Sequence, residues 1–167
     1  MLLIIDIDGT LADNGHRRVF LKDNARDWAS FYQEEHVKAD PPYPDALRAM
    51  KILTKTSARL VILTGRPERL RAITSAWLKT HYDIDTVEPD KGEFINGPRK
   101  SHVAQMFMRS DKDFRYANVF KESKVKWLYE VSADKNFVFI DDDTRCYGVY
   151  SQFGVILVPS HCWKAIQ

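Results

Sequence analysis

Asp6 and Asp8, separated by a single residue, close an unbroken apolar run that begins at Leu2. Side chains two apart on a strand point the same way. At about 4 Å and an effective dielectric near 20, two such carboxylates repel by roughly 4 kcal/mol. A pair of this kind needs a neutralising partner. A sharp bend at Asp8-Gly9 would let the two side chains diverge into separate roles, with a hard cation held through oxygen ligands. The alternative, that both merely open a solvated turn, fits poorly with so short and apolar a lead-in.

Three further groups could join them. The run Leu60-Val61-Ile62-Leu63 ends in Thr64-Gly65-Arg66-Pro67, which offers a hydroxyl, a glycine backbone and a guanidinium, a set suited to a phosphate. Thr64 and Gly65 would equally serve to shape a turn. The run Phe137-Val138-Phe139-Ile140 again ends in acid, Asp141-Asp142-Asp143. Lys121 falls in the first turn of a helix that Asn118 is expected to cap and that continues through Trp127, Leu128 and Val131. The positive end of a helix dipole disfavours a cation, so a lysine there signals an anionic neighbour unless it is simply solvated. Lys124 and Lys126 share the helix but lie beyond its first turn.

These groups need a frame to hold them. Short apolar runs ended by polar turns are the pattern of strands buried on both faces of a parallel sheet. Gly154 to Val158 supplies one more, and amphipathic stretches alternate with the strands, carrying Leu47, Met50 and Leu53 in one and Leu70, Ile73 and Trp77 in another. The alternation predicts an α/β fold, a Rossmann-like three-layer sandwich with a mainly parallel central sheet. The polar run ends then gather at the carboxyl edge, where such sheets bind ligands.

One domain over residues 1–167 is expected, with a short lid at about 12–44. In the lid, His16, Arg17 and Arg18 occupy a loop, and Trp28, Phe31, Tyr32 and Glu35 follow at helical spacing, with Asp23, Asn24 or Asp27 as the cap. Its aromatics could stack on a base or form the face that docks the helix. Pro41, Pro42 and Pro44 make a rigid connector. Turn signals at Glu88-Pro89-Asp90-Lys91-Gly92 and Asn96-Gly97-Pro98 predict a hairpin pairing Glu93-Phe94-Ile95 with a strand near Val103 to Met108. His161-Cys162-Trp163 reads as a terminal turn.

A net charge of +2 over 167 residues demands no nucleic-acid partner. Locally the balance differs. Arg99, Lys100, Arg109, Lys112, Arg115, Lys121, Lys124 and Lys126 stand against Asp111, Asp113 and Glu122, which is either an ordinary solvated face or what a polyanionic substrate requires. Cys146 and Cys162 show neither metal spacing nor a disulfide framework, and no signal peptide or membrane-spanning run is evident. A reduced cytoplasmic setting is the expectation.

Taken in order, Asp6-Ile7-Asp8-Gly9-Thr10, Thr64, Lys121 and Asp141-Asp142 resemble the four motifs of the haloacid dehalogenase superfamily of aspartate-dependent phosphohydrolases, and the likeness spans nearly the whole chain. Within that superfamily the sequence resembles the 3′-phosphatase half of phage-type polynucleotide kinase/phosphatases. The residues that carry this are Asp13-Asn14-Gly15-His16-Arg17, Asp27-Trp28 with Phe31-Tyr32, Thr64-Gly65-Arg66, and Met108-Arg109 ahead of Val119-Phe120-Lys121-Glu122. No Gly-x-x-x-x-Gly-Lys-Ser/Thr loop occurs in the sequence, so no kinase half is expected within it.

The resemblance implies roles for these residues. Asp6 would attack phosphorus and form an aspartyl-phosphate; Asp8 would act as general acid and then general base. Mg²⁺ would be held by the Asp6 carboxylate, the Asp8 main-chain carbonyl and Asp141, with Asp142 directly or through water. Thr64, the Gly65 amide and Lys121 would hold the phosphoryl oxygens, and Arg66, Arg109, His16 and Arg17 the substrate. The expected activity is a Mg²⁺-dependent phosphomonoesterase removing 3′-phosphates from polynucleotide ends. A nucleotidase or other small-molecule phosphatase is the rival on the same chemistry; a non-catalytic end-binding module is a rival of another class, and phosphotransfer to an acceptor other than water is a third. The expected partners are phosphorylated nucleic-acid ends or nucleotides, with a separate kinase or ligase as an associated activity and no membrane.

Overall fold

In the computed structural model, residues 1–22, 26–90 and 92–159 are described. Among them six strands form one parallel sheet: β1 (Leu2–Ile5), β2 (Arg59–Pro67), β3 (Asp85–Val87), β4 (Val103–Arg109), β5 (Phe137–Ile140) and β6 (Gly154–Leu157), in the order β3-β4-β2-β1-β5-β6. The helices are α1 (Trp28–Phe31), α2 (Glu34–Lys38), α3 (Pro44–Leu53), α4 (Arg71–Tyr82), α5 (Glu93–Asn96), α6 (Ala117–Val131) and α7 (Tyr147–Tyr150), with a 3-10 segment at Gly15–Leu21.

The apolar runs are continuous because both faces of the sheet are covered. Leu3 and Ile5 of β1, with Leu60 and Ile62 of β2, pack under α3 and α4 against Ala46, Met50, Trp77 and Leu78. Leu2 and Ile4, with Val61 and Leu63, face the other way onto Phe120, Val125 and Leu128 of α6 and Tyr150 of α7. This is the three-layer sandwich that the alternation predicts, and every strand pairing in it is parallel.

Register sets the height of the chemistry. Ile5 lies opposite Ile62 and Ile140 at once, so Asp6 and Asp141 are the next residues at the carboxyl edge of adjacent strands. Because Ile5 and Ile140 share one face, strand alternation turns Asp6 and Asp141 to the other, the side covered by α6. The chain moves from β1 to β2 on one side and returns to β5 on the other. The crevice beside β1 is therefore the switch point where ligands bind in open α/β sheets.

Several elements differ from the sequence expectation. Glu93-Phe94-Ile95 belongs to helix α5, and the strand near Val103 to Met108 pairs in parallel with β2 and β3, so no hairpin forms. Strand β3 was hidden because Asp85-Thr86-Val87 is too short to show a pattern. Thr64 to Pro67 continues strand β2 rather than leaving it as a turn, with a register shift between Leu63 and Pro67. Helix α6 begins at Ala117 after Tyr116, not after Asn118, which puts Lys121 one turn in. Asp27 caps α1, its side chain accepting the Ser30 N–H at 3.0 Å. In the lid segment Phe31 and Tyr32 are buried and Trp28 is half exposed. Cys146 is a buried free thiol. Asp23, Asn24, Lys91 and the stretch His161-Cys162-Trp163 lie outside the described residues. No described helix is long and apolar enough to cross a membrane.

The centre of the sheet should tolerate truncation badly. Ile62 is wholly buried and paired on both sides, so Ile62→Ala is expected to lower unfolding free energy by about 2–5 kcal/mol, measured as a shift of the urea midpoint at unchanged slope.

Candidate active site

At the end of β1, Asp6 meets a lysine and two further acids. Lys121 Nζ lies 2.8 Å from Asp141 Oδ2 and 3.2 Å from Asp6 Oδ1, and all three side chains are buried. The lysine reaches them because it heads the stripe Lys121, Val125, Leu128, whose spacing of four and three lays one face of α6 on the sheet. Tyr150 donates its hydroxyl to Asp141 Oδ2 at 2.8 Å, Tyr147 donates to the Asp141 carbonyl at 2.9 Å, and the Asp143 amide donates to Asp141 Oδ1 at 2.9 Å. Asp142 is joined to the first loop: its amide donates to Thr10 Oγ1 at 3.2 Å, and Arg18 Nη2 lies 3.6 Å from its carboxylate. Gly9, at φ +85°, passes so close to the Asp142 carboxylate that a Cβ would overlap it.

Asp6, Asp141 and Asp142 each bring an oxygen within 4.8 Å of the other two. Burial is the main reason the Asp6 carboxyl titrates well above the usual range; Asp141, Asp142 and Asp8 add to it while Lys121 opposes. Burial and Asp141 raise Asp142 as well. Burial works against the charge on Lys121, yet Asp141 and Asp6 more than offset it and push its pKa up. Three carboxylates against one buried ammonium leave two negative charges. A hard divalent cation fits both this charge and the all-oxygen donor set, so these three residues could hold one. The Asp8 carboxylate is outside this cluster.

Asp8 points instead into a buried ion-pair network. Arg66 donates to Asp8 Oδ1 from Nε at 3.1 Å and from Nη2 at 2.6 Å, and Arg17 Nη2 donates to the same oxygen. Both arginines also bind Asp40: Arg17 through Nε at 2.8 Å and Nη2 at 2.7 Å, Arg66 through Nη2 at 2.6 Å. Arg17 and Arg66 are wholly buried and Asp40 nearly so. Burial works against an Asp8 charge, but the guanidinia of Arg66 and Arg17 prevail and hold its pKa below the usual carboxylate range. Because all three donors share Oδ1, Oδ2 is the oxygen left to carry a proton.

These groups open on a cleft of about 660 Å³ whose walls include Asp6, Asp8, Gly65, Lys121 and Asp142, with Trp28, Phe31 and Tyr32 along the lid side. The structure thus brings Asp6, Asp8, Gly65, Lys121, Asp141 and Asp142 together. Thr64 is wholly buried, its Oγ1 accepting the Arg66 N–H at 3.3 Å, and at this point the cleft wall is Gly65. Arg17 and Arg66, read in sequence as substrate ligands, are turned onto Asp8 and Asp40. His16 lies against the lid, its Nε2 3.1 Å from the His36 carbonyl oxygen and 3.7 Å from Asp40. Arg109 stands in a neighbouring groove, donating to the Arg115 carbonyl at 2.9 Å. Sequence reasoning missed Asp40, which sits before Pro41-Pro42 with no pattern to mark it, and Tyr150, which reads as an ordinary core aromatic. Arg18, adjacent to Arg17, gave the only hint of its contact with Asp142.

The family model described as the polynucleotide kinase PNKP phosphatase domain matches residues 1–155. A chain in the structure of the Pnkp1/Rnl/Hen1 complex superposes with a TM-score of 0.63 at 19% identity over 95% of this chain and 44% of that one. A second structure, the Pnkp1/Rnl/Hen1 RNA repair complex, gives 0.60 at 19% identity over 93% and 41%, so the present chain spans less than half the length of either relative. The haloacid dehalogenase-like hydrolase SP0104 from Streptococcus pneumoniae gives 0.60 at 11% identity, covering 99% of this chain and 98% of that one. No curated protein matches the sequence significantly.

The Asp8–Asp40 network makes two measurable statements. Asp40→Asn leaves a buried positive charge without its counterpart and is expected to cost about 3–5 kcal/mol of stability, read by urea unfolding. Asp8 has a lower pKa folded than unfolded, so its stabilisation is complete above about pH 4 and is lost as the pH falls through the folded value. The stability gap between wild type and Asp8→Asn should therefore close below about pH 4, followed by urea titrations at stepped pH.

Proposed function

The chain belongs to the family of polynucleotide kinase PNKP phosphatase domains, and from that premise we propose that it is a Mg²⁺-dependent phosphomonoesterase acting on the 3′-phosphates of polynucleotide ends. The observation that carries the reading is the separation of two aspartates two residues apart: Asp6 beside Lys121 at an acidic cluster, Asp8 on two arginines. That separation supplies a nucleophile and a proton carrier on one cleft.

In the proposed first step an Asp6 oxygen attacks phosphorus, the bond from phosphorus to the ester oxygen breaks, and the proton on Asp8 Oδ2 passes to that leaving oxygen. In the second, Asp8 takes a proton from water as the water oxygen attacks phosphorus, the Asp6–phosphorus bond breaks, and orthophosphate is released. Lys121 and the Gly65 amide stabilise the phosphoryl oxygens, with the buried Thr64 hydroxyl accepting the Arg66 N–H beneath them. Arg17 and Arg66 position Asp8, and Asp141 with Asp142 completes the metal site around Asp6. Bound Mg²⁺ would neutralise the acidic cluster and the phosphoryl charge. Among the described residues of the lid from residue 12 to 44, the helical segments before α3 are of seven, four and five residues, too short for a cap that would close the cleft to a chain end. A separate kinase or ligase working with the enzyme in a reducing cytoplasm suits this reading.

Asp6→Asn should lower kcat at least about 10³-fold without loss of fold, and EDTA should abolish phosphate release until Mg²⁺ is restored. A 3′-phosphorylated oligonucleotide should be preferred to nucleoside 3′-monophosphates; a preference for the mononucleotide overturns the polynucleotide reading and leaves a nucleotidase. Because the low pKa of Asp8 leaves it deprotonated at rest, the first-step proton arrives with the substrate, whose phosphate monoester has a second pKa of about 6. kcat/KM is therefore expected to decline above about pH 6, in a pH series on the 3′-phosphorylated oligonucleotide.

A further inference from the structure

Beside the catalytic cleft lies a second groove of about 340 Å³, bounded by Arg109, Arg115 and the exposed rings of Phe114 and Tyr116. The two cavities share Trp28, Tyr32, Ala117 and Arg145 as walls, so one continues into the other. Phe114 is 91% exposed and Tyr116 68%, both on the loop between β4 and α6, and Trp28 faces them at 49%. Scattered apolar side chains at a surface need no explanation, but large rings gathered in one groove do.

The charge of the groove narrows the occupant. Arg69, Arg109, Arg115 and Arg145 line it together with Asp111 and Asp113. Arg69 pairs with Asp111 at 3.4 Å, Arg115 with Asp113 at 2.6 Å, and Arg145 with Asp143 at 2.8 Å, and the three arginines are half exposed or more. Arg69 and Asp111 form an exposed, weak pair, whereas Arg115 and Arg145 are each held through Nε and Nη2 by a mostly buried carboxylate, so their half-exposed guanidinia stand fixed at the groove for a phosphodiester. Arginine around flat aromatic faces is the surface that single-stranded nucleic acid takes up, the rings stacking on bases and the cations tracking the backbone.

We infer that this groove holds the strand that leads into the catalytic cleft, with bases stacking on Phe114 and Tyr116. The inference rests on the phosphatase reading above for the direction of the strand, since the terminal phosphate must lie at Asp6. It assigns to the β4–α6 loop a preference for single-stranded ends longer than one nucleotide.

The test compares wild type with Phe114→Ala/Tyr116→Ala and with Phe114→Trp on 3′-phosphorylated oligothymidylates of one to eight residues, alongside anisotropy of a 5′-labelled octathymidylate that lacks the 3′-phosphate. In wild type, kcat/KM should rise over the first few nucleotides and then level. The double alanine variant should lower the octamer-to-monomer ratio of kcat/KM about tenfold through KM, as loss of stacking platforms does, and weaken octathymidylate binding in proportion, whereas Phe114→Trp keeps both. An unchanged ratio and unchanged anisotropy overturn the groove while leaving the phosphatase reading intact, and make a protein partner the occupant of the rings. Conversely, a wild type that releases no phosphate yet loses octathymidylate binding in the double variant overturns the phosphatase reading and keeps the groove. Circular dichroism of each variant guards against misfolding.

Discussion

Five carboxylates, those of Asp6, Asp8, Asp40, Asp141 and Asp142, converge at one edge of the sheet, and their mutual repulsion is the constraint the rest of the structure answers. The answer is a division into two compartments. On the lid side, Asp8 and Asp40 meet Arg17 and Arg66, two charges against two. On the α6 side, Asp6, Asp141 and Asp142 meet Lys121. The first compartment is balanced in charge and buried except where Asp8 reaches the cleft wall. The second is short of positive charge.

The division follows from backbone geometry. Asp6 is still in register with Asp141 and keeps the alternation of β1, whereas the chain beyond Ile7 folds back on itself through Leu11 and Ala12 amides donating to the Ile7 carbonyl at 2.9 and 2.8 Å. Asp8 thereby leaves the strand and turns to the opposite side. Two residues that would repel on a straight strand are thus given different electrostatic surroundings, and their pKa values move apart, Asp6 upward and Asp8 downward. The shifts record the two surroundings: burial beside other carboxylates for Asp6, two guanidinia for Asp8.

Much of this was legible in the sequence. The apolar runs marked β1, β2, β5 and β6, because strands buried on both faces carry a continuous signal. Lys121 stood out by its place on α6, although its helix begins two residues earlier than Asn118 would set it. What was not legible has a common cause: it depends on distant contacts. Asp40 gains its importance only when Arg17 and Arg66 fold onto it, and nothing in Ala39-Asp40-Pro41 announces that. The short strand β3 exists because β4 offers it an edge, and Glu93 to Asn96 turns helical where local turn signals favoured a hairpin. The two arginines were noticed but assigned outward, since burial of a guanidinium cannot be read from its neighbours in the chain.

The pairing of β1 with β5 reaches beyond energetics into time. The contact between Thr10 and Asp142 spans 132 residues, and at translation rates of about 5–20 residues per second Asp6 leaves the ribosome about 7–26 s before Asp141 and Asp142 do. During that interval β1 can pair with β2 on one side but lacks β5 on the other. Long-range parallel pairing is also slow to form once the chain is whole. Strand β1 is therefore among the first parts made and among the last to be paired on both sides, so a nascent or truncated chain carries Asp6 without the acidic cluster around it. Recovery of activity during refolding would report the closing of this longest loop rather than the earlier collapse of the helices onto β2.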